Sequence, residues 1–163
     1  MPHVKAVLFV TVLLGVSGVA LLVYDVNSLY SQPGNVSAAV PSAFTFNGKT
    51  FDFNFTATTQ SERESGLMNR MVTGATTMLF AFPTYGKWAF WMYDTNTSLD
   101  IIWVNATGDS GQVVYLVASV PPCYNSGTCA IYTPTAEANY VIEARGGFAA
   151  ANGLTIGSKI LFS

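Results

Sequence analysis

Charge is scarce in this sequence. Lysine and arginine number 7 and aspartate and glutamate 9 among 163 residues, so charged side chains make up 10% and the formal net charge is −2. No basic surface can steer a polyphosphate, and nucleic acid is not an expected partner. Histidine is scarcer still. The single one, His3, precedes the first apolar run, which removes imidazole from any catalytic or metal constellation in the folded part. Zinc enzymes and His-dependent triads are thereby disfavoured, and the sequence implies no metal site and no cofactor. Cysteine is limited to Cys123 and Cys129. In an extracytoplasmic domain an isolated pair reads first as a disulfide, whereas a redox or metal pair would want closer spacing and a neighbouring histidine.

What is abundant is apolar: 50% of residues are hydrophobic and 13% aromatic. Ala6 to Tyr24 runs for nineteen residues without a charge, between His3 and Lys5 on one side and Asp25 on the other. That is about the length a helix needs to cross hydrocarbon, and the preceding positive charge favours a cytoplasmic N-terminus. Residues 1–24 are therefore expected to be a membrane anchor, with residues 6–24 as its membrane contact. A cleavable signal peptide is the alternative, since Gly18 and Ala20 have the spacing a signal peptidase uses, although Leu21 to Tyr24 prolong the apolar run past that point. No cysteine follows the run, so a lipid anchor is not supported. Residues 25–41 carry Asn, Ser, Gln, Pro, Gly and Ala without period and read as a flexible stalk, leaving 42–163 as one domain outside the cytoplasm.

Within that domain, Phe44 and Phe46 lead into Asn47-Gly48, the dipeptide suited to two positive φ angles, and Phe51, Phe53 and Phe55 then alternate with polar residues. A hairpin is predicted, its phenylalanines facing the core and Asn54 facing solvent. Ser61 followed three residues later by Glu64 forms a capping box, predicting a short helix over 62–71. The heaviest side chains crowd between Lys87 and Asn105. Read at period two, Trp88, Phe90 and Met92 share one face and Ala89, Trp91 and Tyr93 the other, which predicts a strand buried on both sides. A second strand follows, with Asp100 on the face of Ile102 and Val104, where a carboxylate needs a partner; Arg70 and Arg145 are the expected ones. Gln112–Val120, Tyr140–Ala144 and Lys159–Phe162 read as further strands, and 146–152 as a short helix stopped by Gly153.

Gly66-Leu67-Met68-Asn69-Arg70, Met78 to Pro83, Phe90-Trp91-Met92, Thr95, Leu99 to Ile102, Pro121-Pro122-Cys123, Cys129 and Tyr140 to Glu143 form an ordered set. Together they resemble the family known as "domain of unknown function one hundred and ninety-two", over roughly residues 44–162. The resemblance implies a compact, mostly β domain with one or two short helices behind a signal peptide or membrane segment, and no established activity. Three positions depart from the family pattern: Tyr93-Asp94 stands where Lys-Asn is usual, and Ser98 where proline is usual.

The expected architecture is thus α+β and mostly β: a small wrapped or barrel-like sheet with one or two short helices, behind an N-terminal transmembrane helix. Asp94 and Asp100 lie six residues apart, and paired carboxylates suit glycoside hydrolysis, yet each also suits a structural role in a turn or an ion pair. Trp88, Trp91 and Trp103 could form a sugar-stacking platform but read first as core, and Trp88, Trp91 and Tyr93 are the candidate binding residues, for a ligand the sequence does not name. Four sequons begin at Asn35, Asn54, Asn96 and Asn105, in stalk, strand face, turn and strand end, where a glycan could be attached without a clash. The function these features imply is a membrane-anchored, glycosylated, non-catalytic envelope domain with a surface ligand or partner. A hydrolase acting on envelope glycan through Asp94 and Asp100 is the alternative.

Overall fold

A computed structural model of the chain describes residues 9–13, 19–23 and 39–163. The first two pieces form a unit of their own: β1 (Phe9–Leu13) and β2 (Val19–Val23) pair antiparallel, with Phe9 opposite Val23. The helix expected over 6–24 is not seen in them. An unbroken apolar run does not by itself separate strand from helix, and the β-branched Val10, Val12, Val19 and Val23 favour extended backbone. The rest of that segment, and the stalk up to residue 38, lie outside the described residues. Among the described residues no helix is long and apolar enough to cross a membrane.

The second unit, Ala39–Ser163, is mostly β with two short helices. Its hairpin joins β3 (Ala43–Phe46) to β4 (Lys49–Asp52) through Asn47 and Gly48, whose φ angles of 49° and 74° are those the dipeptide was expected to supply. Then come β5 (Phe55–Ala57), helix α1 (Gln60–Ser65), β6 (Thr77–Gly86), β7 (Leu99–Thr107), β8 (Ser110–Val120), β9 (Ala138–Arg145), helix α2 (Phe148–Asn152) and β10 (Lys159–Phe162). These eight strands form one open sheet in the order β4-β3-β10-β8-β7-β9-β6-β5, antiparallel except for the parallel pair β5 and β6.

The edge strands β4 and β5 are consecutive in the chain, with only Phe53 and Asn54 between them. Three peptide steps span at most about 11 Å, so the sheet must bend until the end of β4 reaches the start of β5. Hydrogen bonds mark the seam: the Asn54 amide donates to the Thr77 carbonyl at 2.9 Å, the Thr77 amide donates to Asn54 Oδ1 at 2.9 Å, and the Thr77 hydroxyl donates to the Asp52 carbonyl.

Bending gives the sheet an inner and an outer face, each with its own core. Strand β7 serves both. Ile102, Val104 and Ala106 pack inward with Phe44, Phe148, Leu154 and Phe162, while Leu99, Ile101 and Trp103 pack outward with Leu67, Phe80, Met92 and Val141. Phe51 and Phe53 stack on Phe44 at 5.1 and 5.5 Å, so the expected aromatic side of the hairpin does face the core.

The segment expected as a strand over 88–93 is not one. It makes single bridges only, Phe90 to Tyr132 and Tyr93 to Cys123. Nor is it buried on both sides: Met92 is buried, but Ala89 is exposed and Trp91 is 41% exposed. The alternation is real, yet it marks a covering segment whose inward residues roof the outer core. The helix also differs from expectation. A second capping box overlaps the first in sequence, and the chain uses Thr59 with Glu62, so α1 begins at Gln60 and ends at Gly66, whose φ of 45° stops it well short of Met71. Backbone amides of Thr59 and Thr58, at 2.9 and 2.8 Å, hold the exposed Glu62 carboxyl down to about 2.

Cys123 and Cys129 are bonded to each other, with Cα atoms 5.7 Å apart. Six positions of separation make a small loop, and the chain-entropy relation gives such a crosslink only about 2 kcal/mol. Cys123→Ala with Cys129→Ala is expected to lower stability by about that amount, read from urea midpoints with and without reductant. A loss well beyond it would show that the bond does more than close a loop.

Candidate functional site

The site is built around a carboxyl on the outer face of the sheet. Glu143 in β9 lies opposite Met78 of β6 on one side and Ile101 of β7 on the other, so its cross-strand neighbours are apolar. It is 4% exposed, and its Oε2 is buried with no hydrogen-bond partner. Burial pushes its carboxyl up to about 8, which leaves it protonated near neutrality.

The chain approaches this acid closely at Gly66. A β-carbon there would lie 3.3 Å from the Phe80 ring and 3.9 Å from Glu143 Oε2, and φ is 45°, so both space and backbone angle favour glycine. Between the α1 end and the covering segment a cleft of 340 Å³ opens, with Glu143 in its lining. Arg63 and Glu64 of α1, Phe80 and Phe82 of β6, Trp88 to Trp91 and Thr95 complete most of its wall.

The aromatic wall is fixed by packing and hydrogen bonds. Trp88 stacks on Phe82 with centroids 4.2 Å apart and planes within 7°. Its Nε1 donates to the Ala138 carbonyl at 2.9 Å, and its own carbonyl accepts from Trp103 Nε1 at 2.8 Å. Gly86 leaves room for the ring, since a β-carbon there would come within 2.9 Å of it. Phe90 sets its edge against Phe80 at 4.9 Å and Trp103 at 5.7 Å. The Arg63 guanidinium lies 5.0 Å over the Phe82 ring, and its Nη1 donates to the carbonyls of Thr58 and Ala81.

Trp88 and Trp91 therefore line the cleft, whereas Trp103 is fully buried and acts behind it by holding Trp88. Tyr93 lies outside, tilted against Trp91 at 5.4 Å. Neither Asp94 nor Asp100 lines the cleft. Asp94 sits in a turn at φ 51°, its amide donating to the Cys123 carbonyl and its carbonyl accepting from the Asn69 amide, both at 2.8 Å.

Asp100 departs from expectation in its partners. It is fully buried, but not against an arginine: Oδ1 accepts from the amides of Ser119 at 2.7 Å and Gly147 at 3.0 Å, and Oδ2 from the amide of Ala149 at 2.7 Å. Arg70 lies over the Phe55 ring at 4.4 Å with its Nε bonded to the Gly66 carbonyl, and Arg145 is exposed. Backbone amides suffice to satisfy a buried carboxylate, which removes the need for a cation. With both oxygens occupied and no exposed surface, Asp100 offers nothing to a substrate, so the pair expected for glycoside hydrolysis is not assembled.

Of the sequon asparagines, Asn54, Asn96 and Asn105 are exposed, and Asn35 lies outside the described residues. Asn105 Nδ2 donates to the Glu137 carbonyl at 3.3 Å, while Asn54 uses only its oxygen at the seam. Among the described residues no three acidic, cysteine or histidine side chains cluster as metal ligands. Glu143 is the residue sequence reasoning passed over. The available signal was the one that drew attention to Asp100, a carboxylate inside an apolar strand run, here Tyr140-Val141-Ile142-Glu143-Ala144.

Fold and site together define a bent, open β domain whose outer face carries an aromatic cleft over a buried acid. The chain belongs to the uncharacterised conserved family DUF192, whose model matches residues 43–162. Two crystal structures are similar. One, a protein from Sinorhizobium meliloti proposed to be a transcription regulator, is 24% identical with a TM-score of 0.62, covering 74% of this chain and 90% of its own; that likeness shows the fold alone. The other, a protein of unknown function from Novosphingobium aromaticivorans, is 28% identical with a TM-score of 0.62, covering 74% of this chain and 83% of its own. The sequence matches no curated protein.

Proposed function

We propose that this chain is a membrane-held, extracytoplasmic, glycosylated domain that binds a ligand non-catalytically in the cleft over Glu143. The observation that carries the binding role is the unpartnered Oε2 of a buried acid in a ready-formed aromatic cleft. An unsatisfied buried polar group costs about 1–3 kcal/mol, and a bound molecule that gave the carboxyl a partner would recover part of it. The non-catalytic reading follows from the lining: no cysteine or histidine stands beside the acid, and the second carboxyl there, Glu64, belongs to an exposed residue bonded to Gln60 Nε2 at 2.8 Å.

Support for the location comes from the uncharged run over residues 6–24, the disulfide, which suits an oxidising compartment, and the exposed sequon asparagines. The test is a thermal-shift panel of sugars, amides, ammonium compounds and small carboxylates on full-length protein taken from the membrane fraction. At least one compound is expected to raise the parental midpoint while leaving Glu143→Leu unmoved, because a ligand that binds the native state stabilises it by mass action. A silent panel would sink the cleft as a binding site, and an intact mass without glycan increments or without the residues before 25 would remove the corresponding part of the location.

A further inference from the structure

We propose that the cleft holds an uncharged sugar residue of a glycan, its ring against the Trp88 and Trp91 side of the wall and a polar substituent bonded to Glu143. This rests on the reading of the cleft as the ligand site and names what enters it.

Charge decides against the other classes. The charged side chains that face the cleft are Arg63 and Glu64, both from α1; the strands that flank Glu143 present Met78 and Ile101, and the covering segment presents aromatic rings and Thr95. A cationic ligand would sit beside Arg63, which already occupies one aromatic face over Phe82, and would require an ionised Glu143 where water is excluded. An anion would meet the Glu64 carboxylate, and Arg63, the cation in the lining, is already engaged by the Phe82 ring and the carbonyls of Thr58 and Ala81. A neutral polyol meets none of these penalties.

The chemistry of the wall also fits a sugar. A pyranose has apolar C–H faces and a polar rim, and the flat, 41% exposed side chain of Trp91 can cover such a face while leaving the rim free, with Trp88, stacked on Phe82, bordering it. A protonated carboxyl is at once an O–H donor and an acceptor, as a hydroxyl or acetamido group is, so each can satisfy the other. The cleft's 340 Å³ would hold about eleven waters at about 30 Å³ each, room on the scale of one sugar unit with its substituents.

The test uses full-length protein in lipid nanodiscs, titrated at pH 6 with cellotriose, chitotriose, tetramethylammonium chloride and sodium acetate, and read by tryptophan fluorescence and calorimetry. Saturable binding is expected for at least one trisaccharide, and the preferred one tells whether an acetamido group is used. Glu143→Leu and Trp91→Ala should each weaken that binding at least tenfold, while Glu143→Gln, which keeps a neutral donor and acceptor, should stay within about threefold. Binding that needs the protonated acid falls with its population, so the parent should lose about tenfold by one pH unit above the Glu143 titration, and Glu143→Gln should not. Silence of both trisaccharides while tetramethylammonium or acetate binds would overturn the sugar and leave the cleft as a site. Silence of all four, together with a silent thermal panel, would overturn both readings. Equal trisaccharide affinity in parent and Glu143→Leu would overturn the role of the acid.

Discussion

Asp100→Ala is expected to lose about 3–6 kcal/mol of stability, which for a domain of ordinary marginal stability approaches unfolding. The carboxylate binds amides from three places: Ser119 in β8, Gly147 in the turn between β9 and α2, and Ala149 in the first turn of α2. Helix α2 has only five residues, and its N-cap is Gly147, which has no side chain to satisfy the free amides of the first turn. Asp100 supplies that oxygen from another element. Alanine would leave one buried donor, the Ala149 amide, and two part-buried ones, those of Ser119 and Gly147, without this acceptor, each costing about 1–3 kcal/mol where water does not reach it. Asparagine should cost less, about 2–3 kcal/mol, because its one oxygen can still serve Ser119 and Gly147 while its NH₂ is turned toward the Ala149 amide. Equilibrium unfolding in urea would check both. Near-parental midpoints for Asp100→Ala would show that the three amides find other acceptors.

The stability of the parent protein should decline as pH rises from about 4.5 to about 8, by up to about 5 kcal/mol, and Glu143→Gln should remove that decline. The direction follows from proton counting. Glu143 holds its proton in the folded state up to about 8 and loses it near 4.5 when unfolded, so within that window the native state binds more protons and alkali favours unfolding. Glu62 works in the other direction and elsewhere on the scale. Its folded value of about 2 lies below its unfolded one, so whatever it contributes is present above about 4.5 and disappears as acid carries the pH down toward 2. Urea midpoints at unit intervals from pH 5 to 9, parent beside Glu143→Gln, would separate the two groups. A parental curve as flat as that of the variant would mean that the buried acid finds a partner or water.

Features set by neighbours in sequence were legible. Asn47-Gly48 specified its turn because two positive φ angles are a local demand, Gly153 stopped α2 for the same reason at φ 72°, and the cysteine pair had no other partner to choose. The family resemblance extended this to the domain as a whole. Features set by tertiary approach were not. The partners of Asp100 lie 19, 47 and 49 positions away, and nothing in its surroundings favours distant amides over an arginine. Glu143 has an unremarkable sequence position and acquires its role only when the α1 end and the 88–93 segment close over it. The aromatic density of that segment was visible, but period two cannot separate a central strand from a roof with one inward face.

An open sheet usually leaves two borders at which another chain could add itself, and long, flat borders invite aggregation. Here the borders are only four and three residues long and are joined end to end through Phe53 and Asn54, so neither offers a long, flat template to a recruit. The Asn54 and Thr77 bonds use up further groups at that junction. A neighbour seeking to extend the ladder would find at most four residues to pair with on one border and three on the other. Brevity at both borders thus limits fibre growth without sealing the sheet into a cylinder and without placing a charge at every exposed border position.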